Sequence, residues 1–179
     1  ASCESIASQR LRDLLTVRRE LEEGRSILES GVMAAERAHL RAHCQTRIYA
    51  ALARNRLAAG DLIAAGQALA LGLAASEAHG QCGTCESMLL PVAVSVRVAQ
   101  GDLTGAKTFA DHLDEAAARY SSRTWLALAT QARGKLAAAR GEIDMAEYYF
   151  KQALAGFQAA DNEVEAVQCQ AALDRLPQV

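Results

Sequence analysis

Gly60-Asp61-Leu62 recurs along the chain as Gly101-Asp102-Leu103 and as Gly141-Glu142-Ile143, and a degenerate copy stands earlier as Arg19-Glu20-Leu21. The apolar residues of the four copies are 41, 41 and 40 positions apart. A small residue follows each of them three positions later: Gly24, Ala65, Ala106 and Ala146. A nearly constant period in this range indicates a repeat protein, in which each unit is one supersecondary element that stacks on its neighbours.

Each repeated turn has the residues that end one helix and begin the next. Glycine just past a helix end adopts the left-handed conformation readily, and an acidic residue after it caps the following helix or complements its dipole. The composition favours helices too, because Ala and Leu dominate the apolar residues, prolines number two and aromatic residues make up 4%. The sequence therefore predicts an all-α protein built from helix hairpins.

Four hairpins and a closing helix account for the whole chain. We predict a right-handed α-solenoid in which helices pair as 5–18 with 20–37, 39–59 with 61–78, 84–99 with 102–119, and 123–140 with 142–159. The repeats run over about 1–37, 38–79, 80–120 and 121–160, and a capping helix at about 162–175 lies in the segment 161–179. We expect these units to form a single domain.

The fourth repeat resembles the tetratricopeptide repeat (TPR) family. Ala132-Arg133-Gly134, the turn at 141–143, Ala146, Phe150 and Ala153-Leu154 fall where that family has its small and large signature residues. The chain departs from the family in its period, since the usual unit has about 34 residues. Such long repeats are similar to the regulatory regions of bacterial signal-transducing ATPases with a LuxR-type DNA-binding domain, as is the stretch from Cys82 to Pro91.

The resemblance implies a non-enzymatic module for protein interaction or ligand sensing in a bacterial transcriptional or signalling regulator. Its expected partners are a protein or peptide, other domains of a longer parent chain, or a small ligand. The family's binding groove is lined by the first helix of each hairpin. On this chain the groove positions are Gln9, Asp13, Arg47, Arg54, Met88, Ser95, Gln131 and Lys135. Alternatively, they are ordinary solvated residues.

The cysteines leave two interpretations open. Cys3, Cys44 and Cys85 recur every 41 residues, which favours a small apolar residue at a repeated helix contact. Cys82 breaks that pattern and forms a Cys-x-x-Cys pair with Cys85. A metal site or a redox-active thiol pair is therefore the alternative, with candidate ligands Cys82, Cys85, His79, Cys44 and His43. A further alternative is a self-associating scaffold, in which the chain forms homo-oligomers.

Several function classes are disfavoured by the sequence. The formal net charge of -2 gives no overall basic field for nucleic acid. The longest charge-free segment, 62–76, is shorter than the roughly 20 residues of a membrane-spanning helix. The usual phosphate-binding, nucleophile and metalloprotease motifs are absent. We therefore expect a cytoplasmic protein that is not an enzyme, needs no cofactor and contacts neither nucleic acid nor membrane.

Overall fold

The computed structural model describes residues 2, 4–7, 15–16, 20–78 and 80–177. All regular secondary structure in these described residues is helical. The helices are α1 (Leu21–Glu36), α2 (Arg41–Ala58), α3 (Leu62–Ala78), α4 (Gly83–Ala99), α5 (Leu103–Tyr120), α6 (Arg123–Ala139), α7 (Ile143–Ala159) and α8 (Glu163–Leu173). The prediction of an all-α protein is confirmed, and the predicted boundaries of these helices are close to the observed ones. The predicted helix at 5–18 falls largely outside the described residues.

Helices that are neighbours in sequence pack against each other. The closest associations are α2 with α3 and α6 with α7, and α1 with α2, α5 with α6 and α7 with α8 also pair. The chain forms two compact units, residues 1–92 and 93–179, and the boundary falls within α4. None of the described helices combines the length and the apolarity required to cross a membrane. The solenoid arrangement and its period remain predictions.

The three glycine-containing turns of the repeat have one backbone geometry. Gly60, Gly101 and Gly141 have φ of 80°, 76° and 76°, in the region that favours glycine. The N–H of the next residue donates to a carbonyl five positions back, as in Asp102 to Arg97 at 2.9 Å. This bond ends the preceding helix in a Schellman motif. Asp102 then caps α5, because its carboxylate accepts from the N–H of Gly105 at 2.8 Å.

Each unit has its own apolar core. In residues 1–92, a cluster of buried side chains joins α1 to α2: Leu28, Ala35, Ala38, Cys44, Ile48 and Ala51. In residues 93–179, Phe150 and Phe157 of α7 pack against α6 and α8. Gly134 allows this close packing, because a Cβ there would lie 2.8 Å from Cδ1 of Phe150. Small residues at helix contacts therefore bring these helices together.

Candidate metal and thiol site

One imidazole and two thiols meet where α2 and α4 begin. One ligand atom each of His43, Cys82 and Cys85 lies within 4.8 Å of the others. His43 is in the first turn of α2, and Cys82 directly precedes α4. All three belong to the unit formed by residues 1–92. His43 is 39 positions from Cys82 and 42 from Cys85 in sequence, and the packing of that unit brings these residues together.

The local backbone explains why both sulfurs lie on the same side of α4. Gly80 and Gln81 have positive φ, 76° and 57°, and turn the chain after α3. The carbonyl of Cys82 accepts the N–H groups of Cys85 and Glu86, both at 2.9 Å, so Cys82 is the residue that opens the helix. Residues three apart on a helix lie on one face. The Cys-x-x-Cys spacing therefore places the two thiols side by side.

Cys85 is the buried member of the pair. Its exposed fraction is 2%, whereas Cys82 is partly exposed. Its Sγ lies 3.2 Å from Nδ1 of His43, a hydrogen-bonding distance for sulfur. The pKa of Cys85 is raised to about 12, first by burial and then by the charge of Cys82, while the charge of Arg47 acts in the opposite direction. This pKa favours the protonated thiol at neutral pH.

Cys82, in contrast to Cys85, is partly exposed, and its pKa is lowered. The hydroxyl of Thr84 is 3.1 Å from its Sγ. This hydrogen bond is the main cause that lowers the pKa of Cys82; burial opposes it, and the backbone N–H groups of Cys85 and Thr84 reinforce it. Because the thiolate is the form that binds metals and attacks electrophiles, Cys82 is the more reactive of the two thiols.

Arg47 brings a positive charge to the same place. It lies one turn after His43 on α2, and residues four apart share a helix face. Its guanidinium is close enough to Cys85 to lower the pKa of that thiol, although burial outweighs it. Its Nε is buried and has no hydrogen-bond partner among the described residues. The cation thus favours negative charge on the sulfur of Cys85.

These ligands match a thiophilic divalent ion. Two thiolates and an imidazole are ligands that Zn²⁺ accepts in tetrahedral sites. With Zn–S bonds of about 2.3 Å, two sulfurs of a tetrahedron lie about 3.8 Å apart. The ligand atoms of the cluster all lie within 4.8 Å of one another, which is close to that spacing. Three protein ligands leave a fourth position for water or another group.

The other predicted metal ligands, Cys44 and His79, are not among the three residues of this cluster. Cys44 is adjacent to His43 in sequence, but its side chain is buried in the α1–α2 core with Leu28 and Ile48. This is the packing position that its place in the repeat predicts. His79 and Cys3 lie outside the described residues. The sequence did not lead us to predict the contact of Thr84 with Cys82, although the position of Thr84 between the two cysteines indicates it. We likewise did not predict the proximity of Arg47, which its spacing from His43 indicates.

The predicted groove residues are dispersed over both units. Gln9 and Asp13 lie outside the described residues. Arg47 and Arg54 are half-buried on α2, and Met88 is half-buried on α4. In residues 93–179, Nζ of Lys135 donates to the hydroxyl of Ser95 at 3.0 Å. Gln131 is only 3% exposed, so its side chain belongs to the interior more than to a binding surface.

Comparison of the chain with protein-family models, with curated proteins and with solved structures gave no match.

Proposed function

We propose that this chain is a non-enzymatic, helical-repeat sensing module that binds a thiophilic divalent cation, with Zn²⁺ as the first choice, through His43, Cys82 and Cys85. The observation that carries the proposal is the cluster itself, with ligand atoms within 4.8 Å of one another. The hydrogen bond from Thr84 that lowers the pKa of Cys82, and the positive charge of Arg47 near Cys85, support it, because metal binding requires deprotonated thiols.

The site joins two helices, and this gives metal binding a structural consequence. His43 belongs to α2, both cysteines belong to the beginning of α4, and α3 lies between them in sequence. An ion held by all three side chains cross-links α2 to α4. Binding to the folded chain alone stabilises it, by about 2.7 kcal/mol when the free ion is at a hundred times its Kd. The stability of the contact between α2 and α4 would therefore rise with the concentration of the free ion.

The scaffold around the site is part of the same proposal. We take it to be a TPR-like right-handed solenoid with a period of about 41 residues, which serves as the regulatory region of a bacterial LuxR-type ATPase regulator. The similar turns at Gly60, Gly101 and Gly141, with φ of 80°, 76° and 76°, support the repeat. In such a region a change in helix packing has a route to the rest of the regulator, since each repeat contacts its neighbours.

Calorimetric titration with Zn²⁺ tests the proposal. The reduced protein should bind one ion per chain, and the triple variant His43→Ala, Cys82→Ser, Cys85→Ser should bind none. The matched control is Cys169→Ser, because Cys169 is a buried thiol of the other unit whose sulfur contacts the carbonyl of Phe150. The control should bind as the wild type does. Equal binding by the triple variant would refute the site.

A second candidate function is capture of an acidic protein segment or a carboxylate ligand on α2. The observation that favours it is the charge of this helix, which has four arginines and no acidic residue in its 18 positions. Arg47 and Arg54 are two turns apart and so share a face, suited to charge-assisted hydrogen bonds with carboxylates. Arg56 binds Glu29 at 3.0 Å, so one arginine of this helix pairs with a carboxylate of the chain itself, which supports this candidate.

Charge reversal tests this second candidate. The double variant Arg47→Glu, Arg54→Glu should weaken binding of an acidic peptide, measured by fluorescence anisotropy, while far-UV circular dichroism stays unchanged. The single variant Arg54→Glu separates the two candidates, since Arg47 is also close to Cys85. If the double variant binds the peptide as the wild type does, α2 is not the binding surface.

A further inference from the structure

We infer that Cys82 and Cys85 are an oxidation site at which a hydroperoxide converts Cys82 to a sulfenic acid and Cys85 then closes a disulfide. The consequence for the metal rests on the proposed function: a disulfide removes two of the three ligands, so oxidation would release the ion. The formation of the disulfide itself does not require a metal. The inference therefore names both a modification site and the regulation of the proposed sensor.

The two thiols differ in access in the way that this chemistry requires. Cys82 is partly exposed, whereas Cys85 is 2% exposed. A small oxidant therefore meets the sulfur of Cys82 first. The hydroxyl of Thr84, 3.1 Å from that sulfur, is placed to donate a hydrogen bond to it as charge develops in the reaction. Redox-sensing cysteines are accessible to the oxidant and often lie next to a second thiol that resolves the sulfenic acid.

Cys85 is placed to be that second thiol. The two sulfurs are within 4.8 Å, and the residues are one helical turn apart, with Cβ atoms about 5–6 Å apart in a regular helix. A disulfide needs Cβ atoms about 3.5–4.5 Å apart, so a small shift at the beginning of the helix is required. Cys82 allows this shift, because it precedes the first residue of α4.

The reaction balances with a hydroperoxide as the only oxidant. The thiolate of Cys82 attacks the peroxide oxygen, an S–O bond forms and the O–O bond breaks. The sulfur loses two electrons, and the leaving alkoxide or hydroxide takes a proton from water. The sulfur of Cys85 then attacks that of Cys82, an S–S bond forms and hydroxide leaves. In the tautomer of His43 whose Nδ1 carries no proton, the proton of Cys85 passes to that nitrogen, 3.2 Å away, and from there to the hydroxide, which leaves as water.

Peptide mapping after treatment with hydrogen peroxide tests the inference on the full chain. Trypsin releases residues 57–97 as one peptide, and Cys82 and Cys85 are its only cysteines. In metal-free protein this peptide should lose two hydrogen atoms, and the peptides with Cys44 and Cys169 should keep free thiols. In the variant Cys85→Ser the sulfenic acid should persist and be trapped by dimedone at position 82. The variant Cys82→Ser should lose this reaction.

The same treatment of zinc-loaded protein, followed with a coloured zinc chelator, separates the two proposals. Disulfide formation with release of zinc supports both. Disulfide formation in a protein that never bound zinc refutes the proposed function and leaves the oxidation site standing. Zinc binding with no disulfide refutes the oxidation site alone. Dimedone labelling spread equally over Cys44, Cys82 and Cys169 would also overturn it, because the structure gives Cys82 a distinct environment.

Discussion

Nδ1 of His43 lies 3.2 Å from Sγ of Cys85, and this contact joins the first turn of α2 to the first turn of α4. The two residues are 42 positions apart in sequence. An imidazole held against a buried thiol gives the pair a ready arrangement for a soft metal ion. In the tautomer whose Nδ1 carries no proton, it also gives the thiol a proton acceptor. Both proposals for this chain depend on that relationship.

Loss of one ligand should weaken zinc binding strongly. Loss of a residue that merely supports a ligand costs about 10–100-fold in affinity, and loss of a direct ligand should cost at least as much. We expect His43→Ala, Cys82→Ser and Cys85→Ser each to raise the Kd for Zn²⁺ by about 100-fold or more in competition with a chelator of known affinity. Cys169→Ser serves as the control with unchanged affinity. If His43→Ala keeps wild-type affinity, the imidazole is not a ligand of the ion.

Thr84 should support Cys82 without binding the metal. Thr84→Val removes the hydroxyl 3.1 Å from Sγ of Cys82, so the thiolate loses its main stabilising hydrogen bond. We expect slower alkylation of Cys82 by iodoacetamide at neutral pH and a zinc affinity about tenfold lower. Thr104→Val is the matched control, since Thr104 is likewise exposed and is the second residue of its helix. Equal alkylation rates in the two variants would contradict this role.

The pairing of α5 with α6 should depend on pH. Arg133 of α6 binds Asp111 at 2.7 Å and also binds Asp114, both on α5. Hydrogen bonds from Lys107 and then from Arg133 lower the pKa of Asp111. The ionised carboxylate of Asp111 therefore stabilises the fold above its unfolded-state pKa of about 4. This stabilisation is lost as the pH falls through the lower pKa that Asp111 has in the folded protein.

Urea unfolding as a function of pH checks this prediction. Asp111→Asn should lower the free energy of unfolding at neutral pH by about 0.2–1 kcal/mol, because the pair is partly exposed. It should also flatten the loss of stability between pH 5 and 3 relative to wild type. Glu115→Gln is the control, since Glu115 is exposed on the same helix and should show neither effect. If Asp111→Asn loses stability between pH 5 and 3 as steeply as the wild type does, the ion pair contributes nothing to the pH dependence of stability.

Gly134 should tolerate no larger residue. A Cβ at this position would lie 2.8 Å from the ring of Phe150, which is 2% exposed and has little space to move. We expect Gly134→Ala to destabilise the protein by about 1–3 kcal/mol, although alanine favours helices intrinsically. The second variant Gly134→Ala, Phe150→Leu should recover part of that loss. Thermal unfolding measures both, and a more stable Gly134→Ala variant would contradict the close packing.

The sequence alone predicts much of the fold. The Gly-acidic-apolar turns locate the ends of the helices, because glycine at a helix end and an acidic cap have few other uses together. Asn55 shows what such patterns leave out. It is 1% exposed and donates to the carbonyl of Leu21 and the hydroxyl of Thr16, an interaction that depends on tertiary packing. No local pattern identifies a buried amide of this kind.

The site was only partly predictable, for a physical reason. Cys82 and Cys85 stand out as a Cys-x-x-Cys pair, but His43 and Cys44 are adjacent and both were candidates. Neighbouring residues on a helix point about 100° apart, so only one of them faces a given partner. The packing of α1 against α2 directs Cys44 into the core and leaves His43 toward α4. The period of the cysteines also predicts a packed position for Cys85; it is buried as predicted, at 2% exposed, and it contacts an imidazole in addition.

Absorption spectroscopy with Co²⁺ in place of Zn²⁺ tests the central claim most directly, because bands from thiolate to cobalt identify the ligands as well as the binding. We expect the reduced protein to show an intense near-ultraviolet charge-transfer band together with the visible bands of a tetrahedral ion. The band should disappear in the double variant Cys82→Ser, Cys85→Ser and remain in Cys169→Ser. A wild-type protein without the band, or a double variant that keeps it, would contradict a metal site at His43, Cys82 and Cys85.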